Sequence, residues 1–465
     1  MSEQGESRKW PTFVAVSIGT FQSVSVLRMV SLVLPTLVDD LRTDVTMVQW
    51  VVLAYSLTMA GLLLAFGRLA DVWGRRRIYA LGFGIFGTGS FLCGLATSLP
   101  LLVAFRVMQA CGGAMLVSNS MAVLTAAFPP SERGRALGLN STITAVASLV
   151  GPSLGGFLIS QFGWRAVFHF NGVYGLVGVV TTLLLLPEMP RAKDEGFDLA
   201  GAVTFMLGVA TLTVALNQAR SLGLLSPYIL VMVVVSVVAF AAFFAVSRKA
   251  AHPVLDLRLL RNQQFTVANG CNFISSFGMS GISFLLPFFL QRVMLMTAAA
   301  AGVVLMAQSA VQTVAGPISG WLTDHLGSKR LTIIGLVLDA AALLWLSALR
   351  PDSTNLDVIV RLAFLGMGSG VFQTANNSAV MGAVRREAYS TASGFLGTMR
   401  HLGTITGVAI VGGLFSIRSA VYAGGTGMLA TSNGMAGGYR DGMWFVAGLY
   451  VLGALLATRQ VEHAR

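Results

Sequence analysis

The chain has 465 residues, 55% hydrophobic and 11% charged, with a mean hydropathy of +0.75, values that exclude a soluble globule and require lipid as the main solvent. Its net charge of +12 does not point to nucleic acid, because the Lys and Arg residues are scattered through short connections and build no basic domain. The sequence contains no Gly-x-x-x-x-Gly-Lys-Ser/Thr phosphate loop, no HExxH pair and no long polar region, so an enzyme is not expected and transport must draw on a gradient or be passive.

Fourteen apolar runs have the length of a bilayer-crossing helix, with predicted limits 12–35, 47–68, 78–96, 100–123, 137–160, 165–187, 199–217, 226–246, 265–290, 298–322, 331–349, 358–383, 394–418 and 440–457. The first is too long for a signal-peptide core and follows a polar start, so it is expected to be retained. With residues 1–11 inside, the larger share of the 31 Lys and Arg falls on the cytoplasmic side, and 458–465 is expected there too. Cys93, Cys111 and Cys271 lie in apolar runs as packing residues, and no disulfide framework, metal or other cofactor is implied.

Ionisable groups inside spans are costly and therefore functional candidates, the alternative being a long side chain that snorkels to the interface. Arg28 lies seven residues before Pro35, about 10 Å from the outer end of span one at helical rise. No Asp or Glu occupies the middle of that span, and an arginine there suits a cavity that tolerates or recruits anions. Between spans two and three, Gly67-Arg68-Leu69-Ala70-Asp71-Val72-Trp73-Gly74-Arg75-Arg76-Arg77 concentrates charge. Gly67 and Gly74 permit close backbone approach, Asp71 stands where a helix end exposes N–H groups, and the arginines hold the loop on one side of the bilayer. Arg106 follows in span four.

In span five, Gly151-Pro152-Ser153-Leu154-Gly155-Gly156 combines glycines for tight packing with a proline that removes an N–H and permits a bend. Gly320-Trp321-Leu322-Thr323-Asp324-His325-Leu326-Gly327-Ser328-Lys329-Arg330 restates the earlier charged loop 253 residues later. Asp339 in span eleven is the one carboxylate placed well inside a span. It is costly there unless neutral or paired, hence a candidate proton carrier, with a structural hydrogen bond as the alternative. Arg400-His401 in span thirteen is another candidate pair, because histidine titrates near neutrality.

These residues carry a resemblance. Gly67 to Arg77 resembles the Gly-x-Leu-x-Asp-x-x-Gly-Arg-Arg/Lys signature between spans two and three of the major facilitator superfamily. Leu102 to Gly113 and Ala147 to Gly156 resemble its fourth- and fifth-span motifs, with Ala110 and Ala147 in place of glycines. Gly163-Trp164-Arg165-Ala166-Val167-Phe168-His169-Phe170-Asn171 resembles the start of span six in the fourteen-span drug:proton antiporter branch, and the likeness covers nearly the whole chain. It implies an all-α membrane protein with the major facilitator fold: pseudo-symmetric six-helix bundles at 12–187 and 265–457, with two extra helices in the linker 188–264.

The resemblance also assigns roles. Gly67, Asp71, Gly74, Arg75 and Arg76, with Gly320, Asp324, Gly327, Lys329 and Arg330, would form a conformational latch. Arg106 matches a motif arginine implicated in proton coupling, to which Asp339 and His401 are added on chemical grounds, and Gly151, Pro152, Gly155 and Gly156 would form a hinge. Asn119, Asn140, Asn272, Gln308, Gln312, Gln373, Asn376 and Asn377 fall on spans that line the substrate cavity in the family, as substrate contacts or interhelical hydrogen bonds. Arg28, Met29, Phe273 and Arg400 complete the candidate cavity. In one respect the chain departs from its relatives: they commonly place an aspartate in span one, and aligning on Val33-Leu34-Pro35 puts Val26 there.

The expected function is export of amphiphilic small molecules by proton antiport with alternating access, in a bacterial cytoplasmic membrane. The protein is expected to act as a monomer whose partners are substrate, protons and membrane lipids, with no nucleic acid. The alternative, motivated by Arg28, Arg106 and the missing carboxylate, is a carrier of an anionic lipid or other anionic amphiphile. A non-transporting sensor or scaffold fits less well, because both charged loops and the span-five glycines are intact.

Overall fold

Hydrocarbon offers no partner to a free N–H or C=O, so each apolar run must satisfy its own backbone, and it does so as a helix. The structure, a computed structural model, describes residues 9–129, 132–189, 198–223, 226–249, 257–384, 389–424 and 432–460. Fourteen long helices stand among these residues: α1 (Lys9–Asp40), α2 (Trp50–Trp73), α3 (Arg75–Leu95), α4 (Leu99–Ala127), α5 (Arg133–Phe162), α6 (Arg165–Leu185), α7 (Leu199–Leu222), α8 (Pro227–Lys249), α9 (Gln263–Phe288), α10 (Ala298–Leu326), α11 (Ser328–Leu346), α12 (Asn355–Gly382), α13 (Tyr389–Tyr422) and α14 (Ser432–Ala457). Thirteen of the helical segments are long and apolar enough to cross a membrane. The remaining helix, α11, has 19 residues, and the charges of Lys329, Arg330 and Asp339 set it apart rather than its length. Each helix corresponds to one predicted span.

Contacts at the helix ends fix which ends lie together. Lys9 Nζ meets Glu132 Oε2 at 2.9 Å and Trp10 lies edge-on to Phe128, so the start of α1 and the α4–α5 turn share one end. Gln263 at the start of α9 donates to the Arg459 carbonyl at 3.1 Å, and Asn262 donates to the Ala383 carbonyl just beyond α12 at 2.8 Å. This terminal end carries both described chain ends. At the opposite, far end, Trp164 Nε1 donates to Asp40 Oδ2 at 2.7 Å and joins α6 to the end of α1.

The two halves repeat one packing plan. In the first, α1 packs on α5, α2 on α4, and α3 on α4 and α6; eight helices later, α9 packs on α13, α10 on α12, and α11 on α12 and α14. Helices α7 and α8 pack on each other, and α7 docks against α2 and α13, one helix from each half. The outer face of α8 leaves Val231, Val234 and Val238 exposed, as a lipid-facing surface requires. Helix starts at the far end are closed by polar caps: Asp44 accepts from the Met47 N–H, Thr297 from Ala300 and Thr354 from Asp357.

Candidate functional site

Helices α1 and α9 hold equivalent inner positions and touch each other across the halves. Most of the apolar core of α1 is buried, but Thr20, Val24, Leu27, Arg28 and Ser31 recur at helical spacing and remain accessible. Phe273, Ser276, Ser280 and Ser283 do the same on α9, as do Ser393, Gly397, Arg400 and Thr404 on α13. Accessible stripes of this period on inner helices face an open space between the halves. Arg28 is half-buried there and Arg400 exposed, while His401 is half-buried; no side chain among the described residues pairs with any of the three.

The internal repeat places the two arginines at similar depth. A Cβ added to Gly151 of α5 would lie 3.0 Å from the Arg28 Cβ, and one added to Gly403 of α13 would lie 2.9 Å from the Cβ of Ser276. Arg28 and Ser276 are thus counterparts, each facing a glycine. Arg400 precedes Gly403 by three residues, about 4.5 Å along the helix.

The predicted cavity amides divide. Gln312 Nε2 donates to Gln373 Oε1 at 3.1 Å between α10 and α12, Thr20 donates to Asn140 Oδ1 at 2.9 Å between α1 and α5, and Asn377 is half-buried on α12. The others turn into helix contacts: Asn119 donates to the Met115 carbonyl, Asn272 to the Leu396 carbonyl, and Gln308 to Met279 Sδ. Asn376 is buried with both amide atoms unpaired. Met29 is fully buried, with Gly155 against its backbone and Asn171 Nδ2 near its sulfur, whereas Phe273 stays accessible.

Two charged groups lie deep in helix contacts, away from the accessible stripes. Arg106 is fully buried: Nε donates to the Val51 carbonyl of α2 at 3.0 Å, Nη1 to Gln109 Oε1, and the guanidinium lies 4.2 Å from the Tyr55 ring centroid. It ties α4 to α2 with no carboxylate partner, and its Nη2 is unpaired. Asp339 is fully buried between α11 and α12, where Ser369 Oγ donates to Oδ1 at 3.1 Å and Oδ2 is unpaired. Gly368 makes room for it, since a Cβ there would strike the carboxyl.

At the terminal end, Gly74 and Gly327 close α2 and α10 with φ of 101° and 85°, a region glycine enters without strain. Arg75 donates from Nη2 and Nε to Asp71 Oδ1 at 3.0 and 3.2 Å, and from Nη1 to the Ala122 carbonyl at 3.0 Å. Arg76 donates to the Leu183 carbonyl. The loop is therefore tied to α4 and α6 of its own half. The ion pair, with side chains 27% and 29% exposed, contributes less than about 1 kcal/mol. The second loop keeps the plan: Gly320 faces Thr374 as Gly67 faces Ser118, Asp324 stands near the end of α10, and Lys329 and Arg330 open α11.

Among the described residues, contacts between the halves gather at the far end. A π-turn, Phe289–Val293, widens the end of α9 and aims Gln291 and Arg292 at α1. Gln291 Nε2 donates to the Leu32 carbonyl at 3.1 Å, and Arg292 Nη2 reaches both the Pro35 carbonyl and Asp39 Oδ2, at 2.6 and 2.5 Å. Between α5 and α10, a Cβ on Gly156 would strike the Ala298 carbonyl and one on Gly302 the Pro152 carbonyl, while the Ala299 N–H donates to Ser160 Oγ at 3.0 Å. On the opposite seam, Thr46 and Ser416 lie 3.2 Å apart, Asn217 of α7 donates to Gln49 Oε1 at 3.1 Å, and Met206 covers Gly61. Sequence reasoning did not flag Gln291, Arg292, Gln49 or Asn217; opposite charges on two outer span ends, Asp39 and Arg292, were the one available signal.

The family model described as Major Facilitator Superfamily matches residues 16–408 and 268–463. Over 414 residues the chain is 30% identical to the riboflavin transporter RibZ of Clostridioides difficile, covering 88% of this chain and 89% of that protein. Over 406 residues it is 31% identical to the multidrug resistance protein Stp of Mycobacterium tuberculosis, covering 87% and 75%. Among solved structures, a bacterial homologue of the human lysosomal transporter Spinster, inward-facing and unoccupied, shares the fold with a TM-score of 0.73 at 17% identity, over 98% of this chain and 97% of that one.

Proposed function

The chain belongs to the Major Facilitator Superfamily, in its drug-efflux branch, and from that premise we propose that this transporter exports amphiphilic small molecules by alternating access, driven by proton entry. It works as a monomer in the bacterial cytoplasmic membrane, with the terminal end in the cytoplasm, an orientation supported by the bias of Lys and Arg toward that side. The observation that carries the reading is the asymmetry of the cross-half contacts among the described residues. The far end is closed by Arg292, Gln291 and the Gly156–Gly302 interlock, while Arg75 and Arg76 are tied within their own half. This is a cytoplasm-facing, loading conformer.

Opening outward breaks the Arg292 bonds, worth about 1.5–3 kcal/mol each for a charged donor before solvent screening. Closing inward brings the two charged loops together, where Gly67, Asp71, Gly74, Arg75 and Arg76 act as a latch with Gly320, Asp324, Gly327, Lys329 and Arg330. Gly151, Pro152, Gly155 and Gly156 give α5 the close approach and bend on which the halves rock. The names of Stp and RibZ support small organic substrates of differing structure.

Proton coupling must use a group that gains and loses a proton between the two conformers. Asp339, with one oxygen unpaired, and His401, beside the accessible stripe, are the groups of suitable chemistry in the second half, and Arg106 ties α4 to α2 in the first. The test is pH-gradient-driven uptake of a fluorescent amphiphile into inverted vesicles. Wild type accumulates it when the interior is acidic, and Asp339→Asn abolishes the gradient dependence while sparing binding. Full gradient-driven transport in both Asp339→Asn and His401→Gln overturns coupling through these groups.

A further inference from the structure

We infer that the space between the halves is an anion site: it takes amphiphiles headed by a carboxylate or phosphate ester, held between Arg28 on α1 and Arg400 on α13. The inference rests on the transporter reading and narrows its substrate. Apart from Arg77, Arg248 and Arg330 at helix ends, partners are the rule among the arginines described within the helices. Arg106 has the Val51 carbonyl, Gln109 and the Tyr55 ring; Arg361 has Asp357 and the Trp345 carbonyl; Arg418 has Asp441. Arg28 and Arg400 have none, and both stand on accessible stripes of inner helices.

The walls offer no compensating negative charge. Helices α1, α2, α4, α5, α9, α10, α12 and α13 carry no Asp or Glu between their terminal turns, and Asp339 lies behind α12 with its hydroxyl partner Ser369. Two guanidinium groups within about one helical turn of the same depth, in a space walled by low-dielectric helices, raise a positive potential that only a ligand or counter-ion can offset. A guanidinium presents paired N–H donors that match the two oxygens of a carboxylate or phosphate. Leu27 and Phe273, both accessible on the same stripes, supply an apolar surface for the tail.

The test uses the full chain in a neutral detergent and three probes of equal chain length: octanoate, octyl phosphate and octyltrimethylammonium. Affinity is read by calorimetry and by the shift each probe gives to the thermal unfolding midpoint. Wild type is expected to bind both anions at least about tenfold more tightly than the cation, and Arg28→Gln and Arg400→Gln each to weaken anion binding about tenfold, the loss of one charged hydrogen-bond donor. Arg28→Lys retains part of the preference.

Equal affinity for anion and cation in wild type overturns the inference, and this arm stands even where a variant fails to fold. So does a double glutamine variant that keeps both the wild-type unfolding midpoint and its anion affinity. Displacement of octyl phosphate by dihexanoyl phosphatidylglycerol but not by dihexanoyl phosphatidylcholine identifies a lipid headgroup as the source; displacement by neither identifies a free amphiphile. Anion binding without transport of any probe in vesicles overturns the transporter reading and leaves the anion site standing, whereas transport of octyltrimethylammonium without anion binding does the reverse.

Discussion

The two seams that join the halves are built differently. Between α5 and α10 the contact is backbone on backbone: Gly156 against the Ala298 carbonyl, and Gly302 against the Pro152 carbonyl. Between α2 and α13 the helices meet less closely, and side chains fill the gap, with Met206 of α7 over Gly61 and Gln49 over Gly412. A backbone has no alternative rotamer, whereas a thioether or an amide arm can repack. On the proposed alternating access, the first seam is the rigid fit that closes the far end, and the second an adaptable joint that the inserted helix α7 keeps filled.

The glycines break the comparison most sharply. Gly156→Ala and Gly302→Ala are expected to cost about 1–3 kcal/mol of closure at the far end, because the added Cβ meets a carbonyl that cannot step aside. Far-end labelling of a cysteine at Leu32, buried where Gln291 meets α1, in a chain whose native cysteines are replaced, should rise steeply and transport should fall. Wild-type labelling in both variants would exclude the α5–α10 fit as part of the closure. A somewhat smaller effect is expected from Arg292→Ala, which deletes the cross-half bonds to Asp39 and Pro35. Far-end accessibility should increase about five- to thirtyfold, the population change for one or two kcal/mol, and no change would assign the closure to the glycines alone.

Asp71→Asn acts at the other end. Its ion pair in this conformer is half-exposed and weak, so helicity and membrane insertion should be retained while transport slows about tenfold through loss of the cytoplasm-closed conformer. Wild-type transport would exclude the latch. Smallest of all, Gly61→Ala should change transport within about 0.5 kcal/mol of the wild-type barrier, because the Met206 side chain can move away. A loss as large as that of Gly156→Ala would make the two seams alike.

Much of this was legible in the sequence, for stated reasons. The fourteen spans followed from apolar length, and even α11 was found despite Lys329, Arg330 and Asp339 because Asp339 is the one charge between Leu331 and Leu349. The helices α1 and α13 run past the predicted 12–35 and 394–418, since polar residues at a helix end continue the same ladder once the apolar core has formed. The direction of side chains was less legible. Met29 and Arg28 are neighbours, yet one packs on Gly155 and the other lines the open space, a difference set by about 100° of helical turn. Asn119 and Asn272 look like cavity amides by type and are used by nearby carbonyls instead. Gln291 and Arg292 could not be placed, because a π-turn shifts their register by an amount no hydrophobic period records.

The central claim is that the two ends of the molecule open in alternation. Spin-label distances measured across the halves test it directly, with one pair at the far end, Thr43 and Asp352, and one at the terminal end, Glu188 and Arg261. Across pH and added amphiphile, the two distance distributions should shift in opposite senses, the far-end pair short when the terminal-end pair is long. Distributions that stay fixed, or that lengthen and shorten together, would contradict it.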